Sequence, residues 1–271
     1  MKNSENNFLS KQQSESFVDI HCHCLPGLDD GPSNTYESIL LCKALAAQGI
    51  TTVVATPHQL GRFEKQNKSR SIRDCVNKLN DIIEESEWMI NILPGSEVRV
   101  DERICQLLEA DEILTIADKG QYILIELPHE IFIDIEMLIK DLFSIGIIPI
   151  ISHAERIKNL TQNTPILLNW CKYPLYLQIT ASSLFGDFGC EAEKAAWNFL
   201  TSGLEVIIAT DSHNIDSRKP KMRDAYSLIA SELGDSFASQ VCIKKPFQII
   251  NGIDTETTSF SGKHYRSPIY D

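Results

Sequence analysis

Residues 17–32 read F-V-D-I-H-C-H-C-L-P-G-L-D-D-G-P. A short apolar run, Phe17 to Ile20, gives way to two histidines, two cysteines and a pair of aspartates, and then to a turn rich in Gly and Pro. The same order, a β-branched strand with polar residues at its C-terminal end, recurs along the chain. Further candidate strands lie at 51–56, 90–93 continuing to 100, 122–126, 147–152, 175–180 and 205–210. Between them run amphipathic stretches that read as helices. Asn34 followed by Glu37 caps the first, which ends before Gly49. Others are expected at 71–85, 101–109, 134–145, 164–171, 191–201 and 222–233, with a terminal helix over 237–250 interrupted near Pro246. Gly146 and Gly203 stand where a helix hands over to a strand. Repeated βα units imply a parallel sheet, and seven such strands predict an α/β barrel.

The 271 residues, 43% of them hydrophobic, suffice for one large domain with a substantial core. The formal net charge of -12 comes without any Lys or Arg run, which argues against a nucleic-acid partner and against an anionic membrane surface. The polar stretch 1–16 holds no signal-peptide core, and no later segment approaches the roughly 18 apolar residues of a membrane span. Eight scattered cysteines without an export signal read as reduced cytosolic thiols, most of them small core residues. The domain is expected over 17–252, after a polar N-terminal extension (1–16) and before a polar C-terminal tail (253–271).

In a βα barrel the loops at the C-terminal ends of the strands build the active site. Nearly every strand here supplies such a residue: His21 and His23, His58, Glu97, Glu126, His153, then Asp211 and His213. A single histidine at a strand end is more often a hydrogen-bonded structural residue than a ligand. Five of the chain's seven histidines aimed with several carboxylates at one mouth have no structural purpose, and indicate metal. Neutral imidazole and carboxylate suit Zn, Mn or Fe, and a carboxylate can bridge two ions. About nine candidate ligands would overcrowd one ion, so two or three divalent ions are expected. Manganese is the first choice, with Fe, Zn or Co as alternatives. Such clusters activate water and clamp the oxygens of a phosphoryl displacement, which predicts metal-assisted hydrolysis of a phosphate ester.

The blocks D-I-H-C-H-C-L-P-G-L-D-D-G-P, A-T-P-H, L-P-G-S-E-V-R, I-L-I-E-L-P, S-H-A-E-R and T-D-S-H-N-I-D-S-R resemble, in order and spacing, the polymerase-and-histidinol-phosphatase (PHP) superfamily. Within it they are similar to the bacterial metal-dependent protein-tyrosine phosphatases of capsule and exopolysaccharide operons, the CpsB and YwqE type. The resemblance spans about residues 17 to 250. It implies a distorted (β/α)7 TIM-like barrel with a trinuclear centre. His21, His23, Glu97 and Asp211 would hold the first ion; Glu126, His153 and a shared Glu97 the second; Asp30, His58 and His213 the third. It also implies that Arg156 and Arg218 bind phosphate and neutralise its charge, a role suited to the planar guanidinium. Arg62 is a third candidate, and an ion pair with Asp216 is the plainer role open to Arg218. Gln59 stands where many relatives have a second histidine, and Ala154 replaces a common proline.

The expected activity is hydrolysis of phosphotyrosine by a metal-bound hydroxide, on the tail of a bacterial tyrosine kinase that regulates capsule or exopolysaccharide synthesis. That places the protein in the cytoplasm, near the inner membrane through its substrate and without insertion. His213 or Asp30 could donate a proton to the leaving phenolate. A small-molecule phosphomonoesterase acting on a substrate like histidinol phosphate, and a non-catalytic metal-binding regulatory module, are the alternatives. A cysteine phosphatase needs an arginine six residues after its thiolate, and none of the eight cysteines has one. In the opening stretch, Asp29 is expected to shape the turn, and Cys22 to pack between strand and helices.

Overall fold

The computed structural model describes residues 16–253 other than 87 and 163. The expected extension and tail, with Tyr265 and Tyr270, lie outside the described residues apart from Ser16 and Ile253. Nine strands, β1 (Phe17–Cys22), β2 (Ile50–Ala55), β3 (His58–Gln59), β4 (Asn91–Pro94), β5 (Glu97–Arg99), β6 (Tyr122–Glu126), β7 (Ile148–Ile151), β8 (Tyr176–Thr180) and β9 (Val206–Ala209), pair in parallel throughout. They form two sheets, β1-β2-β4 and β3-β5-β6-β7-β8-β9.

The two sheets are one barrel. β2 and β3 are successive parts of one broken stave, and so are β4 and β5, which leaves seven staves. The strand expected from 90 to 100 is therefore two strands in different sheets. Gly95 lies at the break, where a Cβ would meet Val54 Cγ1 at 2.5 Å, so only glycine lets the staves approach. The seam between β9 and β1 closes beyond the end of β9. There Asp211 N donates to His21 O (2.8 Å) and His23 N to Ser212 O (2.9 Å). Buried Asp19 completes it, accepting from Thr210 N (3.0 Å) and from the Thr210 hydroxyl. Burial pushes the Asp19 carboxyl up to about 6 despite those bonds.

The helices are α1 (Thr35–Ala47), α2 (Ser69–Glu84), α3 (Ile104–Glu109), α4 (Glu136–Ser144), α5 (Lys158–Gln162), α6 (Thr164–Trp170), α7 (Cys190–Thr201), α8 (Met222–Leu233), α9 (Asp235–Ser239) and α10 (Lys245–Ile250). Asn34 caps α1 by accepting from Glu37 N (3.1 Å), while Glu37 accepts from Ser33 N (2.8 Å). Helix α2 buries Ile72, Val76, Leu79 and Ile83, one stripe at helical spacing. Gly146 and Gly203 take positive φ (76° and 81°) at their handovers. Helix α3 starts three residues later than expected, because the Asp101 side chain accepts from Arg103 N (2.9 Å) and makes a turn of its own. The terminal helix is continuous, with a π segment at Gln240–Lys244 just ahead of Pro246. A wider turn there accommodates a ring that lacks an N–H and would crowd the carbonyl four residues back.

Two apolar clusters follow from strand alternation. Cys22, Ile123, Ile125, Ile151, Ile179 and Ile208 belong to a layer shared with the helices. Val18, Ile20, Leu124, Ile150, Tyr176 and Ile207 join Ile249 and Ile250 of α10 in the barrel interior. Lys245 at the start of α10 donates to Val206 O (3.2 Å) and pairs with Glu205 (2.9 Å), so this helix plugs the N-terminal end. Polar groups are left to the opposite end.

Candidate metal centre

All nine expected ligands gather at that C-terminal mouth; seven of them line a cavity of about 570 Å³ together with Arg62, Arg99, Arg156 and Arg218, and His21 and His23 lie beneath it. Strand parity alone places Glu126, which continues the inward positions of β6. The remaining placements need departures from it. The β1–β2 register shifts between Asp19 and Cys22, so His21 and His23 turn to the mouth although Val18 and Ile20 already face inward. His153 and Asp211 take left-handed backbone angles (φ 33° and 51°), uncommon for residues with a Cβ. His153 N donates to Gln178 Oε1 (2.7 Å), which holds its turn.

Three groups of ligand atoms result. In the first, His21 Nε2 lies 3.2 Å from His23 Nε2, 3.4 Å from Glu97 Oε2 and 3.3 Å from Asp211 Oδ1. His23 Nε2 lies 3.4 Å and 3.6 Å from the same two oxygens. The second joins Glu97, Glu126 and His153, with His153 Nε2 2.9 Å from Glu97 Oε1. The third joins His23, Asp30, His58 and His213, with His58 Nε2 and His213 Nε2 each 3.4 Å from Asp30 Oδ1. Glu97 faces the first group with one oxygen and the second with the other.

These residues fit divalent ions. His21 Nδ1 is engaged by Gln178 Oε1 (2.9 Å) and His23 Nδ1 by Asp29 Oδ2 (2.6 Å). In neutral rings both Nε2 atoms are then bare acceptors facing each other across 3.2 Å, with two carboxylate oxygens beside them. Four acceptors with no donor among them call for a cation. Their spacing matches the edge of about 3.4 Å expected for ligands about 2.1 Å from one tetrahedral ion. His213 Nδ1 likewise donates to Asp211 O (3.0 Å) and leaves Nε2 toward Asp30.

Electrostatics sort the groups. Burial disfavours charge on Glu97 and Asp211. His21 and His153 nevertheless hold Glu97 well below the usual carboxylate range, and Arg156, His21 and Arg218 do the same for Asp211. Burial also opposes charge on His23, but Asp29 and Glu97 push it up to about 10. Burial and Arg156 bring His153 down to about 3, and burial and His23 bring His213 down to about 4. Burial and the neighbouring Glu97 raise Glu126.

Arg218 Nη2 donates to Asp211 Oδ2 (2.6 Å), and Arg156 Nη2 donates to the same oxygen. The pairing of Arg218 with Asp216 is not made. Arg156 also lies over the Phe188 ring (4.4 Å). Both arginines keep a buried Nε without a partner, so donors remain for an anion in the cavity. Arg62 sits at the rim, largely exposed, 3.2 Å from Asp30 and over the Phe63 ring.

Asp29 does more than shape a turn, contrary to the reading of the opening stretch. Besides accepting from Gly31 N (3.0 Å), it orients His23 and accepts from His58 N (3.1 Å), and so fixes two candidate ligands. Gln178, Arg99 and His129 were also passed over. Gln178 is a lone amide between Leu177 and Ile179 of β8, at an inward position, and that is a legible signal. Arg99 shares a face with Glu97 two residues earlier and pairs with Glu126 (3.2 Å). His129 Nε2 lies 3.4 Å from His153 Nδ1. Gln59 is structural, donating to Asn67 O (2.8 Å) and accepting from Leu114 N (2.8 Å). No cysteine lines the cavity. Cys22, Cys24 and Cys42 are fully buried, and burial pushes the Cys22 thiol up to about 11, away from the thiolate a nucleophile requires.

Comparison with known proteins agrees with this architecture. The family model described as "Capsular polysaccharide synthesis, CpsB/CapC" matches residues 17–251. Tyrosine-protein phosphatase YwqE of Bacillus subtilis is 33% identical over 218 residues, 80% of this chain and 85% of that protein. The putative tyrosine-protein phosphatase CapC of Staphylococcus aureus is 35% identical over 211 residues, 78% of this chain and 82% of its own. A solved structure from work on YwqE of Bacillus subtilis and CpsB of Streptococcus pneumoniae, described as metal-dependent tyrosine phosphatases, superposes with a TM-score of 0.83 at 30% identity. That match covers 88% of this chain and 95% of the other. A D-hydantoinase from Thermus (TM-score 0.53, 12% identity) shares the barrel fold alone. With the family model spanning the whole barrel and every stave that carries a candidate ligand, the chain belongs to the CpsB/CapC capsular polysaccharide synthesis family.

Proposed function

We propose that this chain is a metal-dependent protein-tyrosine phosphatase. The observation that carries the reading is the convergence of three ligand groups and two arginines with unused donors at one mouth. His21, His23, Glu97 and Asp211 would hold one ion, Glu97, Glu126 and His153 a second, and Asp30, His58 and His213 a third, with manganese the first choice. When bound, such ions supply Lewis acidity to phosphoryl oxygens and lower the pKa of water.

The chain's own residues do the rest. Arg156 and Arg218 approach from the Asp211 side and offer guanidinium donors to phosphate oxygens that gain charge in the transition state. Phe63, stacked on His58 (5.4 Å, 9° between planes), gives the mouth an aromatic wall beside which an aryl group would enter. Glu97 bridges adjacent groups and fixes their separation. The expected proton donors do not fit that role: His213 and His58 hold the Asp30 carboxyl far below the usual carboxylate range, and His213 is brought down to about 4, so neither carries a proton for the leaving phenolate near neutral pH.

The substrate inferred is a phosphotyrosine on the tail of a bacterial tyrosine kinase that controls capsule or exopolysaccharide export, met in the cytoplasm at the membrane's inner face. Among the described residues no helix is long and apolar enough to cross a membrane. Turnover of phosphotyrosyl, phosphoseryl and histidinol phosphate substrates by the metal-reconstituted protein tests the reading. The expected result is phosphotyrosyl turnover that a chelator abolishes and iodoacetamide leaves intact. Preference for histidinol phosphate would move the chain to the small-molecule branch, and activity surviving the chelator would overturn the metal chemistry.

A further inference from the structure

β8 is the one stave whose mouth carries no expected ligand, yet its inward residue at that level is Gln178, completely buried. We propose that Gln178 is a positioning residue that sets the ligand nitrogen of His21 and the backbone turn of His153 together, and so couples two of the three ligand groups. The proposal rests on the metal centre described above.

The amide orientation is fixed by chemistry. A backbone N–H can only donate, so the atom 2.7 Å from His153 N is the carbonyl oxygen. The same oxygen lies 2.9 Å from His21 Nδ1, which must then be the protonated nitrogen. That leaves the lone pair of His21 on Nε2, the atom among His23, Glu97 and Asp211.

One oxygen therefore receives two donors from two loops. Through His21 it serves the first ligand group. Through His153, whose left-handed backbone needs an external partner, it serves the second. The Gln178 Nε2 group is buried without a partner. An unsatisfied buried donor is costly, and its retention indicates that the carbonyl is the useful half of the side chain.

Two variants separate this role from packing. Gln178→Met keeps the volume and removes the acceptor. Gln178→Glu keeps an acceptor oxygen in place and exchanges the idle Nε2 group for a second oxygen, with a negative charge that favours a cation bound nearby. Manganese affinity and stoichiometry are read by calorimetry and elemental analysis. The His21 tautomer is read by nitrogen-15 NMR on the zinc-loaded protein, with thermal melting to confirm folding. The expected result is a roughly 10- to 100-fold weaker affinity in Gln178→Met, as for loss of other partners that orient metal-bound histidines, with loss of the His21 Nδ1–H signature. Gln178→Glu should retain both. A folded Gln178→Met with wild-type affinity and tautomer would overturn the proposal, and so would an equal loss in folded Gln178→Glu. A wild-type protein that binds no ion would overturn the metal centre itself, a separate outcome.

Discussion

Loading the centre with a divalent ion should release between one and two protons per chain near neutral pH, and the residues that supply them can be named. In the ion-free protein burial disfavours charge on His23, yet Asp29 and Glu97 push the imidazole up to about 10. His21 moves in the same direction, its burial outweighed by Glu97 and Asp211. Both must lose a proton before Nε2 can bind a cation. His153, at about 3, and His213, at about 4, are already neutral, and Glu97 and Asp211 are already ionised, so they release nothing. His23 contributes a full proton at about pH 7.5 and His21 a share of another. The raised His23 stabilises the ion-free fold fully below its unfolded value of 6.5 and loses that effect as pH rises through about 10, so acid favours the ion-free form. Each coupled proton changes log affinity by about one per pH unit, or about 1.4 kcal/mol. Between about pH 8 and pH 6 the manganese affinity should therefore fall by roughly 100-fold to 10,000-fold. Calorimetric titrations in buffers of different ionisation enthalpy give the proton count as a slope. A slope of zero, or equal affinity at the two pH values, would refute the assignment of His21 and His23 as protonated partners displaced by an ion.

Asp29→Asn should weaken metal binding by roughly 10- to 100-fold, because the His23 Nδ1 contact loses its charge; unchanged affinity by calorimetry would return Asp29 to a purely structural role. Arg156→Ala and Arg218→Ala should each lower kcat/KM for an aryl phosphate by about 100- to 1,000-fold, the loss typical of one transition-state donor, with metal content unchanged; the paired measurements of kinetics and elemental composition decide it. Asn34→Ala removes the cap of α1 and should cost about 1 kcal/mol of stability in denaturant titrations, with the metal sites undisturbed.

The barrel was legible because its signals are periodic and local. Most staves announce themselves by apolar, β-branched runs, and many of the helices by an apolar stripe, a cap or a terminal glycine, so α8 was placed from its first to its last residue, while the short α5 and β3 carry no such signal. The broken staves were not legible. Nothing in I-L-P-G-S-E-V-R says that the chain changes sheets at Gly95, since the cause is Val54 on a neighbouring stave. The candidate ligands were visible as polar residues following apolar runs. What their partners touch was not: Gln178 stands out as a polar residue at an inward position, but nothing local says that it meets His21 across 157 positions of sequence or that Asp29 meets His58 across 29. Parity also misleads at β1, where Ile20 and His21 both face inward and only the register shift against β2 reconciles them.

Asp211 shows why the site needs backbone strain as well as ligands. One of its oxygens lies 3.3 Å from His21 Nε2 and 3.6 Å from His23 Nε2, and the other accepts from both Arg156 and Arg218. A carboxylate reaching from a regular strand end would present both oxygens to the mouth together. The left-handed turn at Asp211, tied to His21 O through its own N–H, lets it stand between the ligand group and the guanidinium groups and share one carboxylate between them. The candidate cation site and the two arginines proposed to bind phosphate are thus held at a separation fixed by a single side chain, and a phosphate lying against both would meet positive charge on two sides. That geometry, more than the number of histidines, is what suits the mouth to the phosphoryl chemistry proposed for it.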